Sequence, residues 1–281
     1  MRHVGLTALL LGGTVALSAC VGSRDASVAR AVDSATRAEA DSIREIMLTA
    51  ADPAEAVTYF KGRAQADPGD LDAQRDLAGA LVRAGRSTEA LQAWQDVVAQ
   101  PGATSEDRVA LADAMIRTSD WDGAKRVLDT VPPTHETFAR YRLEAMVADS
   151  NRQWQRADSF YETAVGLTTT PAGVLNNWGY SKLTRGEPAA AERLFVEAIT
   201  YDETLFTAKN NLVLARAARG IYALPIVPAT QEERAQMMHT AALAAIRAGQ
   251  TDVGRTLLQE AIETHPRHFE AAVRALEALD A

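Results

Sequence analysis

The stretch "TEALQAWQDVVAQ", Thr88 to Gln100, places apolar residues at intervals of three and four, with Ala90, Trp94 and Val97 on one stripe. That spacing predicts a helix with one buried face. Working outward, its alanine recurs at Ala56, Ala124, Ala157 and Ala191, a period of about 34 residues in which only the step from Ala124 to Ala157 falls one short. Four positions after each alanine stands a bulky residue: Phe60, Trp94, Leu128, Tyr161 and Phe195. Two columns kept in phase over five copies mean an internal repeat, and a period in this range means stacked supersecondary units.

Each alanine opens a second helix, and the helix before it carries a bulky residue followed by a small one: Leu77 with Ala78, Leu111 with Ala112, and Trp178 with Gly179. Leu212 is followed by Val213. A small residue facing the alanine column lets two helix backbones approach to about 8–10 Å, while the bulky residue fills the seam between repeats. Gly85, Gly186, Gly220 and Gly249 fall where first helices must end in a left-handed cap. Pro68, Pro101, Pro132, Pro171 and Pro266 stand near repeat ends, where helices stop.

Two places depart from the pattern. Within Thr137 to Ser150 the bulky-small pair is smeared over Leu143 to Met146, and its register is open. After Gly220 the chain reads "IYALPIVPAT", and the next residue in the alanine column after Ala191 is Gly254, a little short of two periods on. One second helix is thus replaced by an extended apolar insert over 221–230. Period and signature resemble those of tetratricopeptide repeats. The fold expected is an all-α, right-handed α-α superhelix over 37–281, with about six to seven helix pairs, one of them incomplete, and a C-terminal capping helix from His268 to Asp280.

The N-terminus carries a different signal. "LTALLLGGTVALSACVGSRDAS", Leu6 to Ser27, holds the only cysteine, Cys20, where an apolar run ends. A single cysteine closes no intrachain disulfide. "LSAC", Leu17 to Cys20, resembles a bacterial lipobox, which implies a signal peptide over 1–19 and a lipidated Cys20 followed by a polar tether to residue 36, or a frayed first helix there. An ordinary signal peptide and a retained helix are the alternatives. The run is shorter than the ~20 apolar residues that span a bilayer. Val21 rather than aspartate after the cysteine is similar to outer-membrane sorting, so the resemblance implies attachment to the outer membrane, facing the periplasm.

Without residues 1–19 the chain has 28 Lys and Arg against 37 Asp and Glu, a net charge of −9, and no basic run. Such a surface is a poor partner for nucleic acid. No Gly-x-Ser-x-Gly elbow, phosphate loop or dinucleotide fingerprint occurs, and "HPRH" (His265 to His268) places a proline between its histidines, with no nearby carboxylate that completes a helical metal face. Asp67, Asp70, Asp72, Asp120 and Asp122 lie in turns, where aspartates cap helices. The reading is therefore no enzyme, no metal and no cofactor beyond the lipid on Cys20.

Candidate partner-binding residues are the paired asparagines Asn176 and Asn177, with Asn210 and Asn211 one full repeat later, and Tyr180 beside the first pair. On successive first helices they are expected to form a ladder on the concave face, contacting a ligand backbone or bonding a neighbouring helix, since an amide both donates and accepts. Ile221, Tyr222, Leu224 and Ile226 of the insert are expected either to pack into the body or to dock a partner. Arg83, Arg117 and Arg247, just before turns, are placed to meet helix carbonyls or an acidic partner.

"NNWGYSKLTRGEPAAAERLFVEAI", "TAKNNLVLARAARG", "LPIVPATQEERAQ" and "THPRHFEAA" together resemble TadD-type lipoproteins of tight-adherence (Flp) pilus assembly, chiefly over Leu175 to Ala272. The resemblance implies a non-catalytic, lipid-anchored scaffold whose partners are a secretin or pilus-assembly components. The alternatives are a periplasmic peptide- or cell-wall-binding module, and an outer-membrane protein assembly factor.

Overall fold

The computed structural model describes residues 18–280, so residues 1–17, most of the signal peptide expected over 1–19, and the Cys20 side chain lie outside what is described. Among the described residues there are fourteen helices and no strand. The chain divides into two compact units that meet in sequence at Val97 and Val98.

The first unit holds α1 (Ser18–Thr49), α2 (Pro53–Ala66), α3 (Leu71–Arg83) and α4 (Ser87–Val98). Residues 20–36, expected as a polar tether or a frayed first helix, lie within α1. After Gly22 it contains neither glycine nor proline and is rich in alanine, so nothing interrupts a helix. Ala56, Phe60 and Ala90 are fully buried together with Ala80, and Trp94 of the bulky column is half-buried. Arg83 donates from its guanidinium to the Met47 carbonyl at 2.8 Å, the helix-end role expected of it.

The second unit holds α5 (Ser105–Arg117), α6 (Trp121–Leu128), α7 (Phe138–Ser150), α8 (Trp154–Gly166), α9 (Ala172–Thr184), α10 (Pro188–Tyr201), α11 (Phe206–Ala217), α12 (Gln231–Arg247), α13 (Thr251–Thr264) and α14 (Glu270–Asp280). Ala124, Ala157 and Ala191 are fully buried, as are Leu258, four positions after Gly254, and Phe195. The helix pairs number six complete and one incomplete, with α14 as the cap.

Gly179 shows why the small column exists: a Cβ placed on it would lie 2.6 Å from the Phe195 ring. In α7 the small column falls on Ala145, fully buried, and the bulky column on Glu144. Arg140 resolves that departure. It donates to Glu144 at 2.7 Å, and its other nitrogen reaches the carbonyls of Pro132, Pro133 and His135. An ion pair with further hydrogen bonds thus substitutes for the usual leucine, and Leu143 supplies the apolar contact one position earlier.

First helices end in one repeated motif. The residue after the left-handed position donates to a carbonyl five back, as Arg86 does to Leu81, Glu187 to Lys182 and Gln250 to Ala245. The φ angles of the four expected glycines run from 69° to 83°. Two caps of the same form use side-chain-bearing residues, Ser119 (φ 65°) and Arg152 (φ 56°). Left-handed backbone is disfavoured for such residues by roughly 1–2 kcal/mol. Arg152→Gly is therefore expected to raise the thermal midpoint by about 1–3 °C, the strain relieved exceeding the extra chain entropy, as scanning calorimetry will show. A lower midpoint would mean that the Arg152 side chain stabilises the turn by more than its backbone costs.

The insert is divided between packing and exposure. Leu224 and Val227 pack against Val213, Met237 and Ala241, while Ile221 and Tyr222 are half-buried. Ile226 is fully exposed and, with Val196 and Tyr201, borders a shallow surface groove.

Candidate functional site

In the second unit a cleft of about 530 Å³ opens across α6, α7, α8, α9 and α11. Four of the expected binding residues line it: Asn176, Asn177, Tyr180 and Asn211. Ile221, Tyr222, Leu224 and Ile226 do not. Asn210 is absent from the lining, and its side-chain oxygen accepts from the Thr240 hydroxyl at 2.7 Å.

Of the expected asparagine ladder one rung is formed, in a different register. Asn211 donates its amide to the Asn176 oxygen at 2.9 Å, pairing the second residue of one copy with the first of the other. Asn177 approaches the Met146 sulfur at 4.0 Å. The offset arises because adjacent first helices cross at an angle, so equivalent positions are not directly opposite. Asn211, almost fully buried, serves the packing of α9 on α11, and Asn177 and half-exposed Tyr180 present their side chains at the cleft.

The remaining lining was not anticipated. Met146 and Ser150 come from the last turns of α7, Trp121 and Trp154 from the first turns of α6 and α8, and Thr184 from the end of α9. The repeat itself contains a signal for two of them. Met146 stands one full repeat before Tyr180, and Ser150 one full repeat before Thr184.

Asp149 and Asp158 organise the cleft and its support. Asp149, in the last turn of α7, accepts from the Tyr161 hydroxyl at 2.8 Å and the Ser181 hydroxyl at 2.7 Å, joining three helices. Burial pushes the Asp149 carboxyl above the usual aspartate range, although the two hydroxyls and the nearby Arg185 charge oppose that. Burial, with Asp149 beside it, likewise raises the Tyr161 phenol, which therefore remains a donor.

Asp158 behaves in the opposite way. Burial alone would raise it, but hydrogen bonds from Lys182 at 2.9 Å, Arg185 at 2.7 and 2.8 Å, and the Trp178 indole at 2.6 Å hold its carboxyl below the usual range. Arg185 also lies over the Trp154 ring, 5.7 Å from its centre, and so fixes one wall of the cleft.

The arrangement offers aromatic faces, amides that donate and accept, and hydroxyls. Among the described residues no group of three or more His, Cys, Asp or Glu is placed to hold a metal ion, and no helix is long and apolar enough to cross a membrane. His265 stacks on Phe269 and His268 lies 2.9 Å from Glu270.

No protein-family model and no curated protein matches the chain. Solved structures do. A tetratricopeptide repeat protein from Parabacteroides merdae is similar with a TM-score of 0.55 at 12% identity, over 82% of this chain and 93% of that one. Human IFIT1, solved as a dimer with m7Gppp-AAAA, gives 0.60 at 12% identity, over 84% and 61%. The APC/C hetero-tetramer Cut9-Hcn1 gives 0.54 at 16% identity, over 81% of this chain and 39% of the other, so the chain spans well under half of that relative's length. At such identities the fold is what is shared, and the fold of this chain is the tetratricopeptide-repeat solenoid.

Proposed function

We propose that the chain is a non-catalytic scaffold that binds an extended segment of a partner protein in the cleft formed by α6, α7, α8, α9 and α11. The observation that carries this is the cleft itself. It gathers Asn177 and Tyr180 with Trp121 and Trp154 around one space of about 530 Å³. Amides match an extended backbone, which presents donors and acceptors in alternation, and exposed aromatic rings are the side chains that most often anchor interfaces.

The finer reading joins this surface to the sequence. The lipobox-like "LSAC" supports attachment through a lipid on Cys20 at the periplasmic face of the outer membrane. The resemblance of Leu175 to Ala272 to TadD-type lipoproteins supports a place in assembly of a tight-adherence pilus or a related secretion apparatus, with a secretin or a pilus-assembly component as partner. The test is co-purification of crosslinked partners from membranes of the native host, comparing the unaltered chain with Asn177→Ala/Tyr180→Ala. Enrichment of secretin or pilus-assembly proteins, reduced at least fivefold in the double variant, is the expected result. Recovery of barrel-assembly components, cell-wall fragments or no protein removes the pilus reading.

A further inference from the structure

Asp149 is in an unfavourable place for a negative charge. It lies in the last turn of α7, where the helix carbonyls already present negative potential, and it is partly buried. Its bonded partners are two neutral hydroxyls, those of Tyr161 and Ser181.

The basic groups near it are all engaged elsewhere. Lys182 and Arg185 pair with Asp158 and Glu187, and Arg142 pairs with Asp113. An asparagine would join the three helices through similar hydrogen bonds without carrying a charge. The carboxylate is therefore held in place, lines an otherwise uncharged cleft, and has no ion pair with a cation of its own chain among the described residues.

We propose that this cleft receives an arginine or lysine side chain of the partner segment, which supplies the missing positive charge to Asp149. The walls suit such a guest. Trp121, Trp154 and Tyr180 offer ring faces and edges to the stem and head of a basic side chain. Asp149, fixed from two sides, loses little freedom when the cation arrives, and its two bonded oxygens retain lone pairs for it. The burial that holds this carboxyl above the usual range is the cost that a bound cation offsets. The inference rests on the reading of the cleft as a protein-segment site and adds the charge of the segment.

The test uses the full-length chain in detergent micelles and three acetylated, amidated heptapeptides that are alanine except at the centre, which is arginine, citrulline or alanine. Citrulline keeps the shape of arginine and removes its charge. Calorimetric titration is expected to show the arginine peptide binding about tenfold more tightly than the citrulline peptide, a difference of about 1.4 kcal/mol. In Asp149→Asn that ratio is expected to fall below about twofold, chiefly through weaker binding of the arginine peptide. Equal affinities in the unaltered chain, or a ratio that survives Asp149→Asn, overturn the inference.

If all three peptides bind alike and shift the indole resonances of Trp121 and Trp154, the segment-binding cleft stands and only the cation falls. If no peptide binds, both fall. Should Asp149→Asn fail to fold, Tyr180→Ala takes its place, since Tyr180 is more than half exposed. An arginine preference undiminished in that variant, with unmoved Trp121 and Trp154 signals, also overturns the inference.

Discussion

Gly179→Val is expected to lower the stability of the second unit by about 3 kcal/mol, the upper part of the range for forcing extra atoms into a packed core. The added Cβ alone would lie 2.6, 2.8 and 3.0 Å from three atoms of the Phe195 ring. That ring is fully buried among Leu175, Ala191 and Leu212, so it has no open space to move into. Either the ring leaves its favoured rotamer or α9 moves away from α10, and both responses lose contacts along the whole seam. Gly173, in the first turn of the same helix, provides the control. Nothing lies within 4 Å of a Cβ built on it, so Gly173→Ala is expected to be neutral or slightly stabilising. Urea titration of both variants decides the matter. Equal midpoints would mean that the repeat does not depend on the absence of a side chain at position 179.

The second large effect belongs to Asp158→Ala, expected to cost about 2 kcal/mol at neutral pH, somewhat less than the loss of one partner from a fully buried ion pair. Replacement leaves the Trp178 indole without its acceptor and Arg185, whose side chain is almost completely buried, with Glu187 as its remaining carboxylate. Breaking a buried pair costs about 3–5 kcal/mol, and the lower figure reflects the partial exposure of Asp158 and the partner that Arg185 keeps. The sign with pH follows from the depressed carboxyl. An aspartate whose folded pKa lies below the ordinary 3.8 contributes stability above that value and loses it as pH falls through the folded pKa. The gap between the unaltered chain and Asp158→Ala should therefore hold from pH 7 to about 4 and close only below that. A gap that closes between pH 7 and 5 would assign the loss to packing or to another group. Asp149, raised by burial, acts with the opposite sign: between 3.8 and its folded pKa the native state binds more protons, so its contribution falls as pH rises. Asp149→Asn should accordingly be well tolerated at pH 7.

The repeat was legible because its two columns answer to volume alone. Ala56, Ala90, Ala124, Ala157 and Ala191 are all fully buried, as a residue that lets two helices touch must be. Where the column carries a charge, as at Glu144, the sequence shows only a gap, because the compensating Arg140 lies one turn away and its acceptors are carbonyls of a loop. Glycine caps were readable for the same local reason, while Ser119 and Arg152 were not, since their residue types do not announce a left-handed backbone. The cleft was legible in part. Asn177 and Tyr180 stand out as a repeated amide and an aromatic on a first helix, but Asp149 becomes notable only when the basic groups around it are seen to be paired with Asp158, Glu187 and Asp113. The lone carboxylate is a property of three-dimensional charge placement, which no spacing records. For the insert, composition indicated apolar contact without saying which side chain takes it, and along this irregular segment Pro225 is buried while Ile226 and Pro228 are exposed.

The insert between α11 and α12 changes how the last repeat is held. In a stack of repeats each unit is held by its neighbours. Between α11 and α12 the usual second helix is missing, and the residues that replace it, 222–229, donate no backbone hydrogen bond to another part of the described main chain. Coupling there is carried by the direct α11–α12 contact and by side chains, such as Leu224 and Val227, that the insert lays across the joint. The helices beyond it, α12 to α14, enclose a core of their own around Ala242, Leu258, Ala261 and Ala272. Direct packing of α11 on α12, with the insert laid across it, thus ties the final three helices to the body of the second unit without a second helix between them.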